Sequence, residues 1–269
     1  MDLTLSVVIP AYNEERRLPD TLDAILRYLR AQPYRSEIVI SDDGSDDRTA
    51  EIADNFTATS VQYTDNVTAR VLRNEHRGKA ATVRSGVLQA QGQYVLFMDA
   101  DLATPIEEWP KLYALLRDGC DLAIGSREGA GAERIGEPWY RHLMGRVFNA
   151  VVRGIAVTGI QDTQCGFKAF THDAARRIFS GVRLYGDGAR RVNGPAVTAF
   201  DVEVLFLARK WGYRIGEVPV IWRYGEETKV DPLRDSLRNF ADVVRVRWND
   251  VRGRYAVTPP IGERGGPPA

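Results

Sequence analysis

Residues 94–105 read YVLFMDADLATP, and the change of character inside this stretch decides the fold. Tyr94 to Met98 is a short apolar run, the pattern of a strand buried on both faces. Asp99 and Asp101 follow at once, two carboxylates one residue apart, and then come Pro105 and a polar segment. Like charges at the mouth of a core strand repel, so the pattern calls for a positively charged third party.

The neighbouring segments repeat the theme of an apolar strand that ends in polar residues. Leu5–Ile9 leads into Pro10, Tyr12 and Glu14, and Ile38–Ile40 leads into SDDGSDD. Between them Leu18, Leu22, Ile25, Leu26 and Leu29 recur at helical spacing. Ser45 or Asp46 is placed to cap a short helix running through Ile52, and a weaker strand signal covers Val71–Leu72. A helix is predicted from Gly78 through Leu88, another near 107–116, and a fourth apolar segment spans Leu122–Ile124. Strands alternating with helices predict an α/β fold, a single Rossmann-like domain with a mostly parallel central sheet flanked by helices. In such sheets ligands bind beyond the carboxyl ends of the strands, which would gather Asp42, Asp43, Asp99, Asp101 and Arg127 along one edge.

The second half is less regular. Residues 139–155 read as a helix, 162–170 as a strand or loop, 199–211 as a helix and 217–223 as a strand. The Gly- and Arg-rich segment 181–199 reads as a long loop of functional length. A last helix near 233–252 carries Leu237, Phe240, Ala241, Val244, Trp248 and Val251 on one stripe, with arginines on its flanks at 234, 238, 245, 247, 252 and 254. Packing of that stripe into the core is the favoured expectation, contact with an anionic bilayer the alternative. Residues 1–256 are expected to form the one domain and 257–269 a disordered tail.

Bulk properties narrow the function classes. The chain has 269 residues, 36 basic and 36 acidic, so no global field recruits nucleic acid. No apolar run approaches the ~20 residues of a membrane span, and the N-terminus lacks the basic and small-residue marks of a signal peptide. Cys120 and Cys165 suggest neither a disulfide framework nor a zinc site, and the three histidines show no ligand spacing. A cytoplasmic setting is expected.

The chemistry comes from the strand ends. A D-x-D pair of hard oxygen donors suits Mg²⁺ or Mn²⁺ completed by substrate phosphates, although alone it reads equally well as solvated turn acids. An acid in SDDGS could accept from a base N–H or simply form a turn. Arg77 and Lys79 open a helix, where backbone N–H groups and cations both favour anions. These segments fall in order at successive strand ends, which is what lifts the functional reading above the bland one.

The series VVIPAYNEE, SDDGS, HRGKAATVRSG, MDADLATP, AIGSR, DTQCGFKAF and FDVEVLF resembles the inverting family 2 glycosyltransferases of GT-A fold. Within that family the chain is most similar to the polyprenyl-phosphate branch, the dolichyl-phosphate glucosyl type ahead of the mannose type. The resemblance implies a hexose, glucose favoured, moved from a nucleotide-sugar donor such as UDP-glucose to a polyprenyl-phosphate acceptor at a membrane surface. It implies that Pro10, Tyr12, Glu14 and Asp42 line the base and ribose, with Arg77 and Lys79 on the nucleotide side. Asp99 and Asp101 would hold the metal and diphosphate beside Ala100, and Arg127 would meet phosphate or acceptor. Arg223 and Lys229 would grip phosphates. Ala80 and Ala103 depart from the glycine and the polar residue found in many relatives, and the second departure weakens a mannose reading.

Acceptor chemistry decides whether a base is needed. A sugar hydroxyl must lose a proton, a task for Asp201 or Glu203, whereas a phosphate monoester is mostly dianionic at neutral pH. With a lipid phosphate, Asp201 would orient the donor sugar or a basic neighbour; it also reads as a plain N-terminal helix acid. The alternatives are a family 2 transferase with a saccharide or other hydroxyl acceptor, a nucleotidyltransferase, and a non-catalytic nucleotide-binding protein. An aspartyl phosphohydrolase fits poorly, because Ala103 stands where that motif needs Thr or Val.

Overall fold

Val7, Val8 and Ile9 are all fully buried, so β1 (Leu3–Ala11) lies inside a sheet covered on both faces. The computed structural model describes residues 3–60, 65–186, 199–225 and 232–256. After β1 come α1 (Leu18–Arg30), β2 (Arg35–Asp42), α2 (Thr49–Asn55), β3 (Val67–Arg73), α3 (Lys79–Gln89) and β4 (Tyr94–Met98). Next are α4 (Trp109–Arg117), β5 (Leu122–Ser126), β6 (Glu133–Ile135), α5 (Trp139–Ile155), β7 (Phe167–Thr171) and α6 (His172–Gly181). The chain ends in α7 (Phe200–Lys210), β8 (Ile215–Pro219), β9 (Ile221–Arg223) and α8 (Pro232–Val251).

Seven strands form one sheet in the order β3-β2-β1-β4-β7-β5-β8. Pairing is parallel except for β7, which runs antiparallel to both β4 and β5. The chain builds outward from β1 through β2 and β3, then returns to β1's other edge with β4. That reversal makes the β1/β4 crevice a topological switch point, the place where open α/β sheets bind ligands. Alternation along β1 sends Leu5, Val7 and Ile9 against α1 and α4, and Val8 into the opposite layer with Val83, Val87 and Phe97.

Several local expectations are corrected. Ser45 does not cap a helix; its hydroxyl donates to Asp42, and the helix starts at Thr49. The segment expected as one strand over 217–223 divides between β8 in the main sheet and β9, which pairs with β6. In α8, Phe240, Val244, Trp248 and Val251 are exposed, so the stripe does not pack into the core. The helix is held by its other face, where Val243 and Val246 are buried beside Asn239, Asp242 and Asn249. Asp242 accepts the Tyr185 hydroxyl at 2.6 Å, which explains how a carboxylate can sit on the buried side. Leu237 and Arg234 have side chains outside the description, as do residues 187–198 of the expected loop, Lys229 and the expected tail.

Candidate active site

The carboxyl end of β1 builds the first wall of a cleft. Pro10, Tyr12 and Glu14 line it, and Asn13 turns the chain with a φ of 52°, unusual for a residue other than glycine. Tyr12 stacks on His76 with ring centroids 3.9 Å apart and planes within 4°. His76 Nδ1 lies 2.8 Å from Asp43 Oδ2, and Asp43 also accepts the Arg77 and Gly78 N–H groups at 3.0 and 2.9 Å. Asp43 therefore fixes both the ring platform and the start of α3. Gly78 takes a φ of 90° here, which glycine adopts without strain.

Glu14 accepts both Nε and Nη2 of Arg17 at 2.7 Å, a bidentate pair at the cleft wall. Asp42 is not among the residues lining the cleft, and its carboxylate accepts the Ser45 hydroxyl at 2.6 Å. The Arg77 side chain donates to Glu75 and borders a separate groove between α3 and Tyr185.

Across the cleft stand Asp99, Ala100 and Asp101. The Ala100 carbonyl accepts the buried Thr21 hydroxyl at 2.6 Å, and Leu102 turns the loop with a φ of 52°. Asp101 accepts the Ala103 N–H at 3.0 Å. Withdrawal from water and the nearby Asp99 charge both raise the Asp101 pKa. Asp99 Oδ1 lies 2.6 Å from Lys79 Nζ, yet this buried oxygen receives no well-directed hydrogen bond. Burial opposes a charge on Lys79, but Asp99, Asp201 and Asp101 outweigh it and raise its pKa.

Asp201, which also acts on Lys79, pairs with a basic neighbour that sequence reasoning did not name, Lys168. Lys168 is 1% exposed and its ammonium sits 2.5 Å from Asp201 Oδ1, while also donating to the Cys165 carbonyl. Asp201 thus contacts a buried cation. Glu203 accepts the Arg183 and Leu184 N–H groups and the Tyr255 hydroxyl, a scaffolding arrangement away from the cleft.

Arg127 follows β5, but its guanidinium is held by Asp162, with Nε and Nη2 at 2.7 and 2.8 Å. Burial would raise the Asp162 pKa; the Arg127 charge prevails and holds the carboxyl well below the usual range. Arg223 is exposed at the end of β9, and its N–H donates to the Ala103 carbonyl at 2.7 Å. That bond ties β9 to the aspartate loop. Burial pushes the Cys165 thiol up to about 11, so it stays protonated.

The structure thus brings Pro10, Tyr12, Glu14, Asp43, Lys79, Asp99, Ala100 and Asp101 to one cleft and adds Arg17 and His76. HRGK was recognised as an anion-facing helix start, but its histidine had no visible partner until the fold stacked it on Tyr12. Among the described residues, no group of three or more His, Cys, Asp or Glu side chains forms a complete ligand set. A pair of hard carboxylate donors one residue apart, with Asp99 Oδ1 facing the Lys79 ammonium, fits a divalent ion whose other positions come from substrate.

An α/β sheet with an aromatic platform and a D-x-D pair facing each other at its switch point suits a nucleotide-binding transferase, and likeness to known proteins makes this one a glycosyltransferase of GT-A fold. The chain belongs to the family described as glycosyl transferase family 2, which matches residues 6–179. It is 33% identical to a dolichyl-phosphate beta-glucosyltransferase of Dictyostelium discoideum, over 95% of this chain and 77% of the relative. Identity to the Homo sapiens protein of the same name is also 33%, over 93% of this chain and 77% of the relative. The fold matches glucosyl-3-phosphoglycerate synthase from Mycobacterium tuberculosis, solved with Mn²⁺, UDP and glucosyl-3-phosphoglycerate, at a TM-score of 0.61 and 20% identity. That match covers 96% of this chain and 81% of the other.

Proposed function

We propose that the protein transfers a hexose, glucose favoured, from UDP-glucose or a similar nucleotide sugar to a polyprenyl or dolichyl phosphate, with inversion. The observation that carries the proposal is the Asp99/Asp101 pair set across the β1/β4 crevice from the Tyr12–His76 platform. The names of the relatives supply the sugar and the acceptor class. Tyr12 and Glu14 bind base and ribose, and Lys79 with the α3 start faces the diphosphate. Asp99 and Asp101 would hold Mg²⁺ or Mn²⁺, which would supply positive charge beside the leaving diphosphate.

The state of the candidate bases favours a phosphate acceptor over a hydroxyl. Asp201 is paired to Lys168, and Glu203 holds backbone N–H groups. A phosphate monoester needs no proton removed; it needs an in-line approach fixed by cations. Arg223, anchored beside the aspartate loop, is suited to that, with Lys229 proposed as its companion. The acceptor then places the enzyme peripherally at the cytoplasmic face of a membrane.

The test is a donor screen with polyprenyl phosphate and Mg²⁺ or Mn²⁺, following radiolabel into the organic phase. Label from UDP-glucose in an acid-labile lipid product is expected. Label appearing instead on a water-soluble saccharide would overturn the acceptor assignment.

A further inference from the structure

A surface helix ordinarily buries its apolar stripe and wets its polar one. The described part of α8 does so only in part: Val243 and Val246 are buried on its inward face, but its larger apolar stripe is not. Its inward positions include Asn239, Asp242 and Asn249, whereas Phe240, Val244, Trp248 and Val251 face out, with Trp248 56% and Val251 78% exposed. At 100° per residue these four fall within a single arc of the helix. Arg238, Arg245 and Arg252, seven residues apart, form a ridge along one border, and Arg247 stands on the other.

The charges on this face are all of one sign. From residue 238 to 256 every exposed ionisable side chain is an arginine; Asp242 is buried and Asp250 is half-buried and paired with Lys210. Arg252 also lies over the Trp248 ring at 4.5 Å, joining the apolar arc to its cationic edge. A second copy docking through this same face would bring exposed arginines together, while the nearby acids Asp242 and Asp250 are already engaged with Arg245 and Lys210. A surface that is negative and has an apolar layer beneath answers both halves of the pattern.

We propose that the outward face of α8 docks on an anionic lipid bilayer, with Phe240, Val244, Trp248 and Val251 entering the headgroup–acyl boundary and the flanking arginines meeting lipid phosphates. The helix lies along the interface. The surface argument stands on α8 alone; only the benefit to turnover rests on the lipid-acceptor reading, since docking would bring the cleft to a membrane-held substrate.

The experiment is flotation of the full chain with phosphatidylcholine vesicles, with and without 30% phosphatidylglycerol by design, at about 0.1 M salt where screening is moderate. Binding to the anionic vesicles and little to the neutral ones is expected. A Val244→Ser/Trp248→Ser/Val251→Ser variant should lose binding at least tenfold, and so should Arg238→Glu/Arg252→Glu, which spares the Arg245–Asp242 pair, both keeping the wild-type circular dichroism and melting temperature. Transfer to a short-chain, water-soluble polyprenyl phosphate should be unchanged in both, and transfer to long-chain acceptor in vesicles reduced. Wild type that fails to float, or a serine variant that floats equally well, overturns the docking face even if transfer to lipid phosphate persists. So does a wild-type dimer that the serine variant converts to monomer without any vesicle binding. Docking observed without transfer to any lipid phosphate leaves this face standing and removes the proposed acceptor.

Discussion

Gly166 is pressed against Asp99 so closely that a β-carbon on it would lie 2.1 Å from the Asp99 Oδ2 oxygen. Two segments that look separate in the sequence, MDADLATP and DTQCGFKAF, therefore share one space. The cause is β7, whose first residue Phe167 pairs with Met98 at the end of β4. A glycine at 166 is what lets the acidic loop turn back over the antiparallel strand.

Gly166→Ala should accordingly act on the site before the fold. The Asp99 carboxylate is the group with room to move, so it rotates away from the position it holds beside Lys79. Transfer is expected to fall at least a hundredfold while the melting temperature shifts by a few degrees. Full activity in the alanine variant would show that the Asp99 orientation is not needed.

Asp99→Asn and Asp101→Asn remove charge with little change of shape. Electrostatic groups at a reacting diphosphate are each worth about 3 kcal/mol, so a loss of roughly a hundredfold or more in kcat is expected for either. Excess EDTA should silence the wild type and Mn²⁺ or Mg²⁺ restore it. Arg223→Ala should also lose transfer with the fold intact. Wild-type turnover that EDTA leaves undiminished would remove the metal from the reaction.

The Arg127–Asp162 pair makes a prediction about acid stability. Asp162 is fully buried, and removing one partner of such a pair costs about 3–5 kcal/mol. Asp162→Asn should lower the melting temperature at neutral pH. Because the folded carboxyl is held below its unfolded value, the pair's stabilisation is complete above the unfolded pKa and is lost as pH falls through the folded one. Between pH 7 and pH 2 the gap between the melts of wild type and variant should narrow steadily toward the acid end. A gap that stays constant across that range contradicts the assignment.

What was legible in the sequence follows from how far each signal reaches. Strands β1, β2 and β4 announce themselves by uninterrupted burial, and α1 by its leucine spacing, because those patterns need only nearby residues. Alternation of strands and helices placed the acidic pair beyond the carboxyl end of a strand, but the switch point between β1 and β4 needs the strand order, which the sequence does not show. The reversed direction of β7 was not legible, since strand polarity depends on where the chain re-enters the sheet. Nor was the fate of Arg127 or Asp201, whose partners Asp162 and Lys168 lie more than thirty positions away. Periodicity in α8 revealed a stripe but could not say which face the core would take.

Asp201 is the residue on which acceptor chemistry can be separated from structure. Its carboxylate neutralises Lys168, a cation with 1% exposure, so Asp201→Asn leaves a buried charge with only carbonyl company and should cost about 3–5 kcal/mol. Adding Lys168→Met removes that orphaned charge, and the double variant should recover most of the lost stability. If Asp201 were the base for a hydroxyl acceptor, the double variant would regain stability and stay inactive. With a phosphate acceptor no proton is taken, so the stable double variant should keep measurable transfer, reduced through donor positioning and still rising with pH as the acceptor phosphate loses its second proton near pH ~6. Urea melts and pH–rate profiles on the three proteins decide between the two, because a structural loss is repaired by the second substitution and a lost base is not.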